Sequence, residues 1–327
     1  MGGQILNPMQ LNLPIYEQLL KCKNLLIAGM GGGFDIFSGL PIYFELKKFG
    51  QNVHLASYSF TDVMALKHGE WLTDTCIGVQ GEVEGFHIYY PEGYLSEWFK
   101  LKRGEDVPIW LFAKTGVRPL LENYRALIKH LKIDGILLID GGVDSLIFGD
   151  ESELGTPLED STSLYAVNAL KEIPLKIQAC VGFGAELALT YAHILENIAE
   201  LTQAGAFYGS CSLVKAMESY QLYEDATLYV QSKPHQDPSV ISSSVISAVR
   251  GEYGNYHLTK RTEDSGSKLW ISPLMPLYWF FDLAAVAERN VFLSQLGTTD
   301  TFIDVFRMFT VASGVIQRRR YFKIPLP

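Results

Sequence analysis

An apolar run that ends in glycines and leads into a helical pattern constrains the fold of this chain more than any other feature. Residues 24–29 are almost entirely apolar and predict a buried strand. Glycines occupy positions 31–33, and a helical pattern then extends from about residue 36 to residue 49. A second apolar run at 52–57 predicts another strand. This strand–loop–helix–strand unit predicts two parallel strands joined by a right-handed crossover.

The same alternation recurs further along the chain. Apolar runs predict strands at 107–113, 135–140 and 175–181, and helical spacing predicts helices at 117–131, 161–170 and 186–204. Strands that alternate with helices favour an α/β, Rossmann-like fold, with a mostly parallel sheet and helices on both of its faces. We expect a single domain with a core at 15–210.

Two segments fit this pattern less well. Residues 69–106 are rich in Gly, Glu and aromatic side chains, and we expect an insertion or a peripheral hairpin and lid, with a strand at 85–90. Residues 211–327 are expected to form a C-terminal extension that acts as a lid or an interface, including one between identical subunits. Within it we expect a helix at 240–249, an aromatic core block at 276–281 and a helix at 301–312.

Charge and cysteine spacing exclude several classes of function. The formal net charge is −9, which argues against a protein that binds the phosphate backbone of nucleic acid. The short basic run at 318–320 is expected to be solvated or to pair with acidic side chains. The four cysteines form no C-x-x-C pair, and no apolar run approaches the length of a membrane span. We expect a cytoplasmic protein with free thiols that binds neither nucleic acid nor membrane.

The glycine loop after the first strand is a candidate binding site. Backbone N–H groups at such a loop can hold an anion, and glycine permits close approach. Asp35 stands at the predicted helix start, either as its N-cap or as a ligand of a ribose hydroxyl or a cation. Counting the later glycine loops, the residues expected to bind a cofactor are Gly29, Met30, Gly31, Gly32, Gly33, Phe34, Ser38, Gly141, Gly142, Ser145, Gly182 and Gly184.

An acidic segment follows the strand at 135–140, where open α/β sheets place their ligands. Its carboxylates can hold Mg²⁺ or Ca²⁺, bind ribose hydroxyls, clamp a cationic substrate, or act as acid and base. The alternatives are helix caps, at Asp160 or Ser161, and solvated side chains, at Asp150 and Glu151. Within this segment, the predicted metal ligands are Asp140, Asp144, Asp150 and Glu151.

A third strand end, at residues 182–186, again combines glycines with a carboxylate, Glu186, near a predicted helix start. Three such strand ends on one side of a sheet predict one shared crevice. We expect the catalytic groups to be Asp35, Asp140, Asp144 and Glu186.

These three motifs together resemble those of domain of unknown function family 1152. The resemblance rests on residues 28–35, 140–160 and 182–186, and it spans at least residues 20–210. It implies the α/β fold and its pocket, and carries no established activity.

A second, partial resemblance is to the NAD-binding fold of sirtuins and deoxyhypusine synthase. The run at 31–41 is similar to the sirtuin G-A-G-x-S-x-x-S-G-I-P sequence, although Ile42, Tyr43 and Phe44 replace the Asp-Phe-Arg that follows it there. This resemblance implies that NAD or another adenine nucleotide is the ligand.

We therefore expect an enzyme that binds a nucleotide or ribosyl compound in this crevice and acts by N-glycosidic cleavage or ribosyl transfer. Carboxylates would stabilise positive charge that develops at an anomeric carbon. One alternative is a metal-assisted hydrolase or lyase, with Mg²⁺ as a candidate, that acts on a small amide or amine. Another is a ligand-binding or scaffold protein without catalysis.

Overall fold

The computed structural model describes residues 14–83 and 88–323 and contains one twisted sheet of nine strands. The sheet has the order β3-β4-β5-β2-β1-β6-β7-β9-β8. Its strands are β1 (Asn24–Gly29), β2 (Asn52–Tyr58), β3 (Glu70–Thr73), β4 (Cys76–Val79), β5 (Ile109–Phe112), β6 (Gly135–Asp140), β7 (Leu175–Cys180), β8 (Phe207–Ser212) and β9 (Leu277–Asp282).

Five adjacent strands, β5, β2, β1, β6 and β7, are parallel, and the remaining pairs are antiparallel. After β1, the chain forms β2 and later β5 on one side of β1. It then returns and forms β6 on the other side of β1. The strand order therefore reverses between β1 and β6, and ligands of open α/β sheets bind at such a reversal. The expectation of a mostly parallel, Rossmann-like sheet is confirmed.

Helices cover both faces of the sheet, as expected. They are α1 (Pro14–Leu19), α2 (Asp35–Ser38), α3 (Leu40–Lys48), α4 (Pro91–Trp98), α5 (Val117–Leu131), α6 (Leu158–Asn168), α7 (Tyr191–Gln203), α8 (Glu218–Gln231), α9 (Val240–Arg250), α10 (Lys260–Asp264), α11 (Leu283–Arg289), α12 (Leu293–Leu296) and α13 (Phe302–Ser313).

Successive residues of each strand point to opposite faces and so build two hydrophobic cores. In β1, Leu25 and Ile27 pack in one core, with α3 and α4. Leu26 and Ala28 pack in the other core, with α5 and α6. Because both faces of the central strands are covered, these strands are apolar throughout, and that composition made them recognisable in the sequence.

Two predicted helices differ from those observed. The pattern at 36–49 forms two helices that meet at Gly39, and the Cβ of any other residue there would lie 2.5 Å from Ile27 Cγ2. The helix predicted to start at Glu186 starts at Tyr191 instead, so Glu186 is not at a helix N-terminus. Ala188 has a φ of 57°, in the left-handed region, and this conformation is incompatible with a right-handed helix.

The segment expected to be an insertion extends the sheet. Strands β3 and β4 form a hairpin at one edge of the sheet, and β4 pairs with β5. Of the strand expected at 85–90, positions 85–87 lie outside the described residues, and residues 88–90 are irregular.

The C-terminal part of the chain also contributes to the sheet. The aromatic block at 276–281 largely forms β9, which lies between β7 and β8, and Phe280 and Phe281 are buried as expected of core residues. Among the described residues, no helix is long and apolar enough to cross a membrane. The four cysteines are free thiols, also as expected: Cys22, Cys76, Cys180 and Cys211.

Candidate functional site

A cavity of about 350 Å³ opens where the five parallel strands end. Each of these strands, or the loop that follows it, contributes to its lining: Gly31 follows β1, Phe60 follows β2, Lys114 follows β5, Asp140 ends β6 and Glu186 follows β7. The cavity thus lies at the reversal of strand order. Its complete lining is Gly31, Asp35, Phe60, Lys114, Asp140, Gly141, Asp144, Thr156, Glu159, Asp160, Glu186 and Ile241.

Asp35 is held at the cavity by the glycine loop. The N–H of Gly31 donates to Asp35 Oδ2 at 2.5 Å, and the N–H of Gly141 also hydrogen-bonds to this carboxylate. Phe34, not Asp35, is the N-cap of α2, so the interpretation of Asp35 as a helix cap is wrong. The anion held by this loop is therefore the protein's own carboxylate.

Asp140 and Glu186 are held in the same way. The N–H of Ser145 donates to Asp140 Oδ2 at 3.2 Å, and the N–H of Val143 donates to Glu186 Oε2 at 2.7 Å. A side chain at position 142 would crowd both of these carboxylates. A Cβ there would lie 2.9 Å from Glu186 Oε1 and 3.1 Å from Asp140 Oδ1.

Asp144 is bound by the backbone of the acidic segment itself. The N–H of Thr156 donates to Asp144 Oδ2 at 2.7 Å, and Gly155, with a φ of +68°, permits this close turn. Asp144 also shares a hydrogen bond with the carboxyl group of Glu186.

Asp160 differs from the other carboxylates. It lies in the first turn of α6, and Ser163, one turn later, donates to Met30 O at 2.7 Å and so fixes this helix against the glycine loop. The side chain of Asp160 is buried, yet its Oδ1 has no hydrogen-bond partner among the described residues. A buried oxygen without a partner costs free energy unless a ligand satisfies it.

Asp160, Asp35 and Asp140 each present one carboxylate oxygen within 4.8 Å of the others. This spacing suits oxygen ligands around one divalent cation. The unsatisfied Asp160 Oδ1 and the mutual repulsion of three carboxylates both point to a cation as the missing partner.

Burial raises the pKa values of Asp35, Asp140, Asp144, Asp160 and Glu186. Loss of water raises the pKa of Asp35 from 3.8 to about 7, although the Gly31 N–H opposes this shift, and the charge of Asp144 adds to it. Burial and then neighbouring carboxylates raise the pKa values of Asp140, Asp160 and Glu186 well above their usual range. Burial and the neighbouring carboxylates therefore both favour the protonated form of these groups.

This shift predicts an unusual pH dependence in EDTA-treated protein. Because the folded pKa of Asp35 is raised, the folded state binds more protons than the unfolded state between pH 3.8 and about 7. Stability should therefore fall as pH rises through this window, giving a Tm several degrees higher at pH 5 than at pH 8. Thermal unfolding monitored by circular dichroism measures this difference. A Tm that rises with pH would show that folding does not raise the pKa values of these carboxyl groups.

The structure brings the loops at residues 29–35, 140–145 and 182–186 together, and all four predicted catalytic carboxylates line the cavity. Of the twelve residues expected to bind a cofactor, Gly31 and Gly141 line it. Gly182 and Gly184 instead have positive φ values and lie against Ile241 and Trp270. The catalytic and binding roles of these residues remain predictions.

The structure places Asp150 and Glu151 away from the cavity, so their grouping with Asp140 and Asp144 as metal ligands is not supported. Arg319 pairs with Asp150 Oδ1 at 2.9 Å and with Glu151 Oε1 at 2.8 Å. The basic run at 318–320 thus provides a partner for these acids, as one of its two interpretations predicted.

Several lining residues were not among the predicted site residues. Asp160 belongs to the acidic segment whose carboxylates were expected to bind a ligand, and its alternative interpretation as a helix cap is wrong, because α6 begins at Leu158 and neither Asp160 nor Ser161 caps it. Phe60 and Lys114 were not singled out at all. Each follows the carboxyl end of a parallel strand, and this position is the signal that would have found them.

The fold and the cavity define a Rossmann-like α/β protein with an acidic site at the reversal of its strand order. The chain belongs to the family described as a protein of unknown function, DUF1152, whose model matches residues 102–311. This range contains the acidic segment and Glu186. The glycine loop and Asp35 precede it.

No curated protein and no solved structure gives a significant match to this chain. The partial resemblance to sirtuins and deoxyhypusine synthase is therefore not supported by these comparisons.

Proposed function

We propose that this protein is a divalent-cation-dependent enzyme that cleaves the N-glycosidic bond of a small ribosyl compound. The observation that carries this proposal is the buried, unpartnered Oδ1 of Asp160 beside the carboxylates of Asp35 and Asp140. An acidic cluster alone is common on protein surfaces. A buried carboxylate oxygen that faces such a cluster without a hydrogen-bond partner is uncommon.

The ligand atoms indicate which cations fit. Asp35, Asp140 and Asp160 offer only carboxylate oxygens, which suit Mg²⁺, Mn²⁺ and Ca²⁺ better than softer metals. Such a cation would bind and orient sugar hydroxyls when present, because these are also hard oxygen ligands.

The charge of the cavity supports a reaction that develops positive charge. Six carboxylates line it, and Lys114 is the only Lys or Arg side chain among the described lining residues. Cleavage of an N-glycosidic bond places positive charge on the sugar ring in the transition state, and fixed negative charges stabilise it. The same charges disfavour a substrate that places a phosphate beside the three aspartates.

Asp144 and Glu186 form a pair that can supply the proton that the departing base requires. Burial raises the pKa of both groups, and their hydrogen bond lowers that of Asp144 and raises that of Glu186, which favours Glu186 as the acid. In cleavage, the water oxygen bonds to the anomeric carbon while the C–N bond breaks and its electron pair leaves with the base. Glu186 protonates the departing nitrogen, Asp144 holds the Glu186 carboxyl group by their hydrogen bond, and the proton released by water passes to solvent.

Product analysis tests this function. Purified protein with Mn²⁺ should release free base from at least one of adenosine, AMP and NAD, as separated by chromatography, and EDTA should stop the release. The variants Asp140→Asn and Glu186→Gln should each be slower by about a hundredfold or more, since removal of one general acid or one electrostatic partner has effects of this size. Asp106→Asn, at an exposed ion pair with Lys100, is the matched control and should retain full activity.

The alternatives predict different results. Release of ammonia or an amine from small amides, with no base released from any ribosyl compound, would favour a metal-assisted amide hydrolase. Binding of a ribosyl compound without any turnover would favour a ligand-binding protein.

A further inference from the structure

Lys114 is the one Lys or Arg among the described residues that line the acidic cavity. It lies in the loop that follows β5. A cation in such a cavity either balances a nearby carboxylate or receives an anionic part of the ligand. Lys114 pairs with Glu159, and the surroundings of its ammonium group leave room for the second role as well.

Three separate elements hold this ammonium group in place. Glu159, in the first turn of α6, accepts a hydrogen bond from Lys114 Nζ at 2.5 Å. Nζ also lies 4.3 Å from the centroid of the Phe60 ring and 4.0 Å from that of Phe302, the first residue of α13. Cation–π contacts of this kind fix the position of an ammonium group. A flexible side chain held in this way loses little further conformational entropy when a ligand binds.

The ammonium group retains capacity to bind. It has three N–H donors, and Glu159 is its one hydrogen-bond acceptor among the described residues. The aromatic rings attract the charge but accept no conventional hydrogen bond. Because 35% of the Lys114 side chain is exposed, donors remain available to a ligand in the cavity.

We propose that Lys114 receives a phosphate group of the substrate. The substrate is then a phosphorylated ribosyl compound, such as a nucleotide, and not a free nucleoside. This inference rests on the proposed function, since it assumes that the ribosyl part lies at the aspartate cluster. Lys114 is the one positively charged side chain among the described lining residues, so its end of the cavity is where the protein itself offsets the repulsion between a phosphate and the carboxylates.

Calorimetric titration of Mn²⁺-loaded protein with AMP and with adenosine tests this inference, because the two ligands differ only in the phosphate. We expect AMP to bind about tenfold more tightly than adenosine, since a charge-assisted hydrogen bond to phosphate is worth this much. In Lys114→Gln, AMP affinity should fall to that of adenosine, and adenosine affinity should not change. Lys114→Arg, which keeps the charge, should preserve a preference for AMP.

Lys102→Gln is the matched control, because Lys102 is exposed and lies over the ring of Tyr229, away from the cavity. Equal affinity of the wild type for AMP and adenosine, or no binding of either, would overturn the inference. A preference for AMP that survives in Lys114→Gln would also overturn it.

Titration of each variant with Mn²⁺ alone distinguishes failure of the inference about Lys114 from failure of the proposed function. Lys114→Gln should bind Mn²⁺ at least as well as the wild type, because the substitution removes only a positive charge. If Mn²⁺ does not bind the wild type, the cation site is wrong. The AMP and adenosine titrations repeated in EDTA then still report on Lys114.

Discussion

Replacement of Asp160 by Asn should abolish the stabilisation of this protein by divalent cations while making the cation-free protein more stable. The first effect follows from loss of a ligand whose Oδ1 has no other partner among the described residues. A cation present at a hundred times its Kd stabilises the folded state by about 2.7 kcal/mol, and we expect the variant to lose this stabilisation. The second effect follows from relief of repulsion between Asp160 and the neighbouring carboxylates, which raise its pKa.

Thermal unfolding in EDTA and in Mn²⁺ measures both effects. Asp106→Asn removes an exposed carboxylate of the same type and should keep the full response to Mn²⁺. An equal Mn²⁺ response in Asp160→Asn and the wild type would exclude Asp160 as a ligand. A cation-free Asp160→Asn protein that is less stable than the wild type would show that this carboxylate stabilises the fold.

The second large effect is expected at Arg319, which does not line the cavity. Its side chain bonds to Glu151, which is fully buried and also accepts N–H groups from Phe148 and Gly149 at 2.7 and 2.8 Å. Arg319→Ala should therefore leave Glu151 buried without its cationic partner. Removing one partner of a buried pair costs about 3 to 5 kcal/mol, and because Arg319 is 24% exposed we expect about 3 kcal/mol.

Urea denaturation gives this free energy from the midpoint and slope. Arg307→Ala is the control, because Arg307 is 73% exposed and its contact with Asp304 spans 3.9 Å. It should change the free energy of unfolding by less than about 0.5 kcal/mol. A similarly small change in Arg319→Ala would show that water replaces the guanidinium group around Glu151.

Elements with a strong local pattern could be predicted from the sequence to the residue. Strands β1 and β6 and helix α5 have the predicted bounds. The apolar runs of β1 and β6 are uninterrupted and end at Gly29 and Asp140. The helical spacing of α5 is also uninterrupted, and a polar residue follows it. In such segments local pattern and tertiary environment agree, so the pattern is sufficient.

Elements that depend on distant partners could not be predicted in this way. Strand β9 follows β7 by about a hundred residues, yet the two are neighbours in the sheet. The hairpin of β3 and β4 was among the expectations for residues 69–106, but its attachment to the sheet depends on the pairing of β4 with β5. No local periodicity records such pairings.

The loop before α7 shows how the site itself overrides a local pattern. Residues 186–190 continue the helical spacing of α7, and the sequence therefore predicts a helix there. In the structure, the Tyr191 hydroxyl accepts the N–H of Glu186 and donates to its carbonyl. These bonds turn the chain so that Glu186 reaches the cavity, where the Val143 N–H binds it.

The carboxylates of the cavity were predicted in part because each follows a strand, a position that sequence pattern records. Asp35, Asp140, Asp144 and Glu186 were found by this rule. Asp160 was not, because it lies in a helix and reaches the cavity only through the docking of α6 on Met30. Its missing hydrogen-bond partner, on which the proposed function rests, is a property of the folded chain alone.

Anomalous diffraction from crystals grown with Mn²⁺ shows directly whether Asp35, Asp140 and Asp160 bind a cation. We expect one strong anomalous peak among their carboxylate oxygens, with Oδ1 of Asp160 as a ligand. Crystals of Asp160→Asn grown in the same way should lack this peak. A well-ordered cavity without a peak at these oxygens, at Mn²⁺ concentrations that saturate any effect on thermal stability, would show that these residues do not form a cation site.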